Sequence, residues 1–182
     1  MSEGIEKGIA SYEERLRTEM RGIPLLIKYL WSLEQTESVG HANDEQQRQD
    51  DIDLIWSFIH KGREIEKTIE AKIDTQMHET GNFCFEYISN LVRGTSGCFA
   101  RTKADLIHYL AIETGELYVL ETNKVREWFE AEVSRYPKRF KISTTISTVG
   151  IGKAYHSVFF LVPIKVVEKE VGFRSRIIPT DL

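Results

Sequence analysis

Two short apolar runs, each with a carboxylate inside it, constrain this chain more than any other feature of its sequence. Asp53 lies in the run Asp51–Trp56, and Glu70 lies in the run Ile69–Lys72. Apolar residues flank the carboxylate in both runs, which predicts two β-strands joined by a turn-like stretch, Ser57–Lys67. A carboxylate inside an apolar strand needs a partner, because burying an unpaired charge is costly. We therefore expect the two strands to be neighbours that bring Asp53 and Glu70 to the same end of a small sheet.

Lys72 lies two residues after Glu70. Side chains alternate between the two faces of a strand, so Glu70 and Lys72 project to one side while Ala71 points away. Two carboxylates and an ammonium group at one point can hold a divalent cation and orient a water molecule, which is the chemistry of metal-assisted phosphodiester hydrolysis. The alternatives are solvated strand-end charges for Asp53 and Glu70, and a structural salt bridge to a neighbouring carboxylate for Lys72.

The ion that suits this ligand set is Mg²⁺, with Mn²⁺ as a substitute. Mg²⁺ accepts one or two carboxylates, keeps several waters and takes further ligands from substrate phosphate. The backbone carbonyl of Ala71 is a further candidate ligand. Lys72 would polarise the attacking water and offset charge on the phosphate.

Three more carboxylates are candidates with open alternatives. Asp51 shares the alternation of Asp53 and is an alternative ligand. Asp74 is in phase with Glu70, and either binds a second metal or ends the strand. Glu86 lies in a later strand, where it either joins the metal ligands or pairs across the sheet with a cation.

The spaced Asp and Glu-x-Lys on two predicted strands resemble the signature of the PD-(D/E)XK nuclease superfamily, also called the restriction-endonuclease-like fold. The matched residues are Asp53–Ile55 and Ile69–Lys72, and the segment Thr80–Glu86 resembles phage and bacterial members. The chain departs from the signature at Ile52, where the family pattern has a proline. The resemblance covers roughly residues 44–110.

The resemblance implies a Mg²⁺-dependent deoxyribonuclease with catalytic Asp53, Glu70 and Lys72, and it prefers Asp53 over Asp51 as the ligand. In this family an acidic residue from the N-terminal helix often completes the site. The candidates here are Glu13, Glu14 and Glu19, for which a solvated helix face is the alternative. DNA would be the partner, and a homodimer is compatible with cutting both strands. A non-catalytic nucleic-acid-binding or assembly protein that retains the fold is the competing function.

Charge is distributed unevenly along the 182 residues. The whole chain carries a formal charge of −4, which argues against a simple basic DNA-binding domain. Residues 1–80 carry −7 and residues 81–182 carry +3. This division permits carboxylates around a metal and cations along a phosphate backbone.

Two basic segments are candidates for contact with nucleic acid. The first, Arg135–Lys141, interleaves aromatic residues with Lys138, Arg139 and Lys141, although a solvated helix end would look the same. The second is looser and contains Arg93, Arg101 and Lys103.

Localisation is constrained only by what the sequence lacks. No apolar run approaches the ~20 residues needed to span a bilayer, and the first residues lack a signal-peptide pattern. Cys84 and Cys98 do not form a disulfide framework. We expect a cytoplasmic protein of a bacterium or of a phage-infected cell, without a membrane partner.

The order of elements predicts an α/β (α+β) protein with a central mixed sheet flanked by helices, in one nuclease-like domain. The expected segments are N-terminal helices in 1–33 that break at Gly22–Pro24, a polar loop in 34–50, a catalytic sheet in 51–121, and a helix with further strands in 122–182. The expected strands are 52–59, 66–73, 83–91, 106–113, 116–121, 140–149 and 156–167, with a helix over 124–135.

Overall fold

The computed structural model describes residues 12–135, 138–148 and 154–180. The helices are α1 (Tyr12–Trp31), α2 (Asp44–Asp50), α3 (Met77–Thr80), α4 (Cys98–Arg101), α5 (Thr122–Arg135) and α6 (Ile164–Glu170). The strands are β1 (Thr36–His41), β2 (Leu54–His60), β3 (Arg63–Asp74), β4 (Asn82–Asn90), β5 (Thr95–Ser96), β6 (Leu106–Ala111), β7 (Glu116–Glu121), β8 (Lys141–Thr148), β9 (Ala154–Pro163) and β10 (Arg174–Ile177). In this part of the chain, no helix is long and apolar enough to cross a membrane.

Six strands form a central mixed sheet in the order β1-β2-β3-β6-β7-β10. The strands β1, β2 and β3 are antiparallel neighbours, β6 lies parallel to β3, and β7 and β10 continue antiparallel. Helix α1 packs on one face of the sheet. Helix α5 and a second sheet pack on the other. The prediction of an α+β fold with a mixed central sheet flanked by helices is confirmed.

The hairpin of β2 and β3 has a two-residue turn, Lys61–Gly62. Their φ angles are 52° and 73°, and positive φ at both positions is what a type I′ hairpin turn requires. Pairing runs from His60 opposite Arg63 to Leu54 opposite Ile69. The predicted turn over Ser57–Lys67 is therefore wrong, because strand pairing continues until only two residues remain to reverse the chain.

Strand β3 carries different chemistry on its two faces. Ile69 and Ala71 are buried in the core beneath α1. Glu70, Lys72 and Asp74 alternate with them and project from the opposite face, as predicted.

A second sheet has the order β5-β4-β9-β8, and its pairs are antiparallel. The predicted strand over 83–91 belongs to this sheet as β4, not to the catalytic sheet over 51–121. Its Phe83 and Phe85 are fully buried, and Phe85 stacks on Phe99 with ring centroids 4.0 Å apart. This apolar face needs a cover, and the central sheet supplies it, so β4 packs against the central sheet and is not a strand of it.

Helix α1 does not break at Gly22–Pro24, contrary to prediction. Pro24 lies inside the helix. A Cβ at Gly22 would lie 2.6 Å from the side chain of Ile73, so the helix runs directly against β3 there. Burial of the leucines beyond Pro24 outweighs the roughly 3 kcal/mol that an internal proline costs a helix; these are Leu25, Leu26 and Leu30.

Two further segments differ from their predictions. The expected loop over 34–50 contains β1 and α2, because β1 pairs with β2 and Asn43 forms a capping box with Gln46 at the start of α2. The expected strand over 156–167 ends at Pro163, and α6 follows with Val167 buried. The sequence signal for α6 was the proline before an apolar spacing of three and four residues.

Candidate active site

Asp53 lies beside β3 at the open end of the β2–β3 hairpin, close enough for its charge to act on Glu70. Strand pairing ends with Leu54 opposite Ile69, and Asp53 is the residue just before β2. The N–H of Asp53 donates to the Ile69 carbonyl at 2.8 Å, and the N–H of Ala71 donates to Asp53 Oδ2 at 2.7 Å. These bonds hold the Asp53 carboxylate against β3. Cross-strand pairing thus brings together the two carboxylates that the sequence singled out.

Glu70 is the most deeply buried carboxylate of this site. Its side chain is 5% exposed, and Lys72 Nζ lies 2.5 Å from Glu70 Oε1. Burial, with smaller contributions from Asp53 and Asp51, raises the pKa of Glu70 to about 8, although Lys72 acts to lower it. A single ammonium group therefore does not offset the burial and negative charge at this point.

Lys72 is held in its charged form. Burial lowers its pKa, but Cys98, Glu70 and Asp53 raise it above the usual value for lysine. The lysine side chain is 33% exposed, so the ammonium lies at the boundary between the buried carboxylate and solvent. From there it can reach both Glu70 and a molecule that enters the site.

The carboxylate and carbonyl oxygens at this site are the type of ligand that a hard divalent cation prefers. Asp53 uses Oδ2 for the Ala71 N–H, and its Oδ1 has no partner among the described residues. The N–H and C=O of a strand residue point to the same edge, so the Ala71 carbonyl is directed toward Asp53 as well. No group of three or more His, Cys, Asp or Glu side chains in the described ranges is arranged to hold a metal ion. Two carboxylates and a carbonyl are a partial, all-oxygen ligand set, which is the kind that Mg²⁺ completes with water and phosphate.

Asp51 has a different role from the one that strand alternation predicted. It ends α2 with a φ of 47°, so it lies outside β2 and the alternation does not reach it. Its carboxylate accepts from Arg101 Nε at 2.6 Å and from Arg101 Nη2 at 2.5 Å. Asp50 similarly pairs with Lys103 at 2.6 Å. These pairs join the end of α2 to the residues at and after the end of α4.

Asp74 is occupied by hydrogen bonds at the end of β3. Its Oδ1 accepts from the N–H groups of Gln76 and Met77, at 2.7 and 2.8 Å. Its Oδ2 accepts from the Tyr109 hydroxyl at 3.1 Å. The structure therefore favours the alternative in which Asp74 ends the strand.

Glu86 and Cys98 lie next to each other where β4 meets the start of α4. The Cys98 N–H donates to Glu86 Oε2 at 3.3 Å. Burial raises the pKa of the Cys98 thiol to about 12; Glu86 and Glu70 add to this, while Lys72 opposes it. Sequence reasoning proposed Glu86 but missed Cys98, because nothing in its local pattern indicates which strand it approaches.

The basic candidates differ in whether they already form ion pairs with carboxylates of the protein. Arg139 contacts Glu132 and Glu170 in ion pairs, and its guanidinium lies over the rings of Trp128 and Phe140. Arg101 and Lys103 pair with Asp51 and Asp50, as described above. The exposed candidates without an ion pair among the described residues are Arg93, Lys138 and Lys141.

The N-terminal acidic candidates fall at the limit of what the structure describes. The side chains of Glu13 and Glu14 lie outside the described part. Glu19 is exposed on α1. Two residues of the basic segment, Tyr136 and Pro137, also lie outside it.

Comparisons of the chain with protein-family models, with curated proteins and with solved structures found no match.

Proposed function

We propose that this protein is a metal-dependent nuclease with a restriction-endonuclease-like core, which hydrolyses DNA phosphodiester bonds. The observation that carries the proposal is the convergence of Asp53, Glu70 and Lys72 at the open end of the β2–β3 hairpin. A buried carboxylate with a raised pKa, next to a second carboxylate and an ammonium group, is typical of functional sites. The mixed central sheet is compatible with the fold that the motif resembles.

In this proposal Asp53, Glu70 and the Ala71 carbonyl hold Mg²⁺ or Mn²⁺. Such an ion would supply Lewis-acid chemistry, which polarises a phosphate and makes water a better nucleophile. Lys72 donates hydrogen bonds to the attacking water and to the developing negative charge. Water adds to phosphorus and one ester P–O bond breaks, which leaves a phosphate monoester and an alcohol.

The test is cleavage of supercoiled and linear duplex DNA by purified protein with Mg²⁺, with Mn²⁺ and with EDTA. Wild type should cleave only with the metals, and Asp53→Asn, Glu70→Gln and Lys72→Met should each reduce the rate at least about 100-fold, since each removes a ligand or a transition-state charge. Matched controls are Glu66→Gln, an exposed carboxylate on the same strand, and Lys28→Met, an exposed lysine of α1. Both controls should retain the wild-type rate.

Binding of Mn²⁺, followed by electron paramagnetic resonance, separates the two roles. Asp53→Asn and Glu70→Gln should weaken Mn²⁺ binding, whereas Lys72→Met should leave it intact because Lys72 is not a ligand. Cleavage that survives any two of the three site substitutions contradicts the assignment.

A further inference from the structure

The chain between α2 and β2 is fixed by contacts with the residues around the end of α4. Asp51 ends α2 with a φ of 47°, a left-handed conformation that is uncommon outside glycine, asparagine and aspartate. Its carbonyl accepts from the Thr102 hydroxyl at 2.7 Å, and its carboxylate accepts from Arg101 Nε and Nη2 at 2.6 and 2.5 Å. Contacts to both its main chain and its side chain therefore hold Asp51 in this conformation.

The ion pair between Asp51 and Arg101 constrains orientation as well as distance. Two N–H···O bonds from one guanidinium to one carboxylate fix the two planar groups relative to each other. The Asp51 side chain is 13% exposed, and that of Arg101 is 42% exposed. Because little water reaches the Asp51 carboxylate, solvent is a poor substitute for Arg101 as its partner.

The residue two positions further along the chain is Asp53, the proposed metal ligand. Asp53 precedes β2, which begins at Leu54, so it lies outside the paired register of the hairpin. Its carbonyl accepts from the Ala42 N–H at 2.9 Å, and its Oδ2 accepts from the Ala71 N–H at 2.7 Å. These bonds require the chain to leave α2 in one direction, and the conformation of Asp51 sets that direction.

We infer that Asp51 and Arg101 form a positioning pair for Asp53. The pair holds residue 51 in its left-handed conformation and thereby directs the Asp53 carboxylate to the Ala71 N–H and to the metal site. This inference rests on the proposed nuclease function. It adds a residue from α4 to the support of that site, and it gives Arg101 a role inside the protein in place of a contact with nucleic acid.

The first experiment removes the ion pair from each side. Arg101→Met deletes the guanidinium, and Asp51→Gly deletes the carboxylate while allowing the left-handed conformation. Each should lower kcat and the affinity for Mn²⁺ about ten-fold, since loss of a group that orients a metal ligand has effects of this size, and should leave KM for DNA unchanged. The double variant should be no worse than either single variant, because both remove the same contact.

Conservative variants and a matched control show whether the effect belongs to this pair. Asp51→Asn keeps an acceptor oxygen and tolerates the left-handed conformation, so it should lose less than Asp51→Gly. Arg48→Met, at an exposed arginine of α2, should retain the wild-type kcat and Mn²⁺ affinity. Wild-type kcat and Mn²⁺ affinity in Arg101→Met overturn the inference. So does a rise in KM for DNA with unchanged Mn²⁺ affinity, because Arg101 would then contact DNA directly.

The second experiment depends on neither cleavage nor metal. The amide resonance of Ala71 reports its hydrogen bond to Asp53, and Asp53→Ala gives the reference in which that bond is absent. In Arg101→Met the resonance should move toward this reference, and in Arg48→Met it should stay at the wild-type position. If wild type cleaves no DNA but the resonance responds to residue 101 in this way, the nuclease proposal fails and the positioning of Asp53 stands. If wild type cleaves and the resonance is the same in Arg101→Met, the inference fails and the nuclease proposal stands.

Discussion

At the scale of single residues, two lysines of β3 each form an ion pair with a carboxylate, and the two pairs differ in how deeply they are buried. Lys67 and Asp105 lie 3.3 Å apart with side chains 38% and 43% exposed. Burial acts to raise the pKa of Asp105, but the Thr68 N–H and Lys67 outweigh it and the pKa is lowered. The pKa of Glu70 is raised instead, because burial removes its carboxylate from solvent and disfavours the charged form. The charge pattern is the same in both pairs, and only the surroundings distinguish the site from a surface ion pair.

His108 is a second buried titratable residue, on β6, where it pairs with Ala71 of β3. It is 1% exposed, and neither ring nitrogen has a hydrogen-bond partner within the described residues. Burial lowers its pKa to about 4, from 6.5. Between these two pH values the unfolded chain binds a proton that the folded chain does not, so the folded state loses stability as the pH falls from 6.5 through 4.

We predict that His108→Leu removes much of this acid sensitivity. Relative to wild type, the free energy of unfolding of the variant should rise by about 3 kcal/mol between pH 7 and pH 4, because one pKa unit corresponds to roughly 1.4 kcal/mol. At pH 7.5 the substitution should have little effect or stabilise, because it removes two unpaired polar atoms. Urea unfolding at pH 7.5, 5.5 and 4.5 measures the difference. Parallel pH profiles for the two proteins would show that His108 is not the group responsible.

At the scale of elements, a contact between β4 and the turn before α4 fixes where α4 begins. Gly97 has an ordinary φ of −78°, so its requirement for glycine is steric and does not come from backbone conformation. Any side chain there would press on the Glu86 carbonyl. The backbone of β4 is itself held by Tyr109, whose hydroxyl accepts from the Cys84 N–H at 2.9 Å. The backbone of β4 therefore cannot easily shift away from a side chain at position 97.

Gly97→Ala should therefore destabilise the protein by about 1–3 kcal/mol, as overpacking does. Gly40→Ala is the matched control, because a Cβ at Gly40 meets nothing within 4 Å. Thermal unfolding tests both variants. Equal stability of the Gly97 and Gly40 variants would mean that α4 adjusts freely.

At the scale of the whole molecule, ion pairing distinguishes the cations that link helices from the cations that remain exposed. Arg139 links α5 to α6 through Glu132 and Glu170. Lys138 and Lys141 are exposed on either side of it. The basic segment therefore combines an arginine that is held in ion pairs with two exposed lysines.

We predict that Lys138→Ala with Lys141→Ala weakens DNA binding and reduces the slope of log affinity against log salt by roughly two units, because each phosphate contact contributes about one. Arg139→Ala should instead lower the melting temperature, since it breaks the link between the two helices. Fluorescence anisotropy at several salt concentrations and thermal unfolding measure the two effects. If the lysine variant keeps the wild-type slope, the DNA path lies elsewhere, and Arg93 is the next exposed cation to test.

The sequence by itself determined the elements whose pattern is local. Alternating apolar residues predicted β3, β6 and β7 within a few residues, and the 3.6-residue period predicted α5. Alternation along β3 also predicted that Glu70 and Lys72 share a face. These properties depend on chain geometry over a few residues, so neighbouring residues suffice to read them.

Tertiary structure decided the rest, because the deciding contacts join residues far apart in the sequence. The polar residues of β1 form a strand because they pair with β2. Helix α1 continues past Pro24 because it packs on the central sheet. Arg101 pairs with Asp51 across 50 residues, and the close approach of Gly97 to Glu86 fixes the start of α4 against β4. Local preferences are worth at most a few kcal/mol, and burial of apolar surface or pairing of a buried charge is large enough to override them.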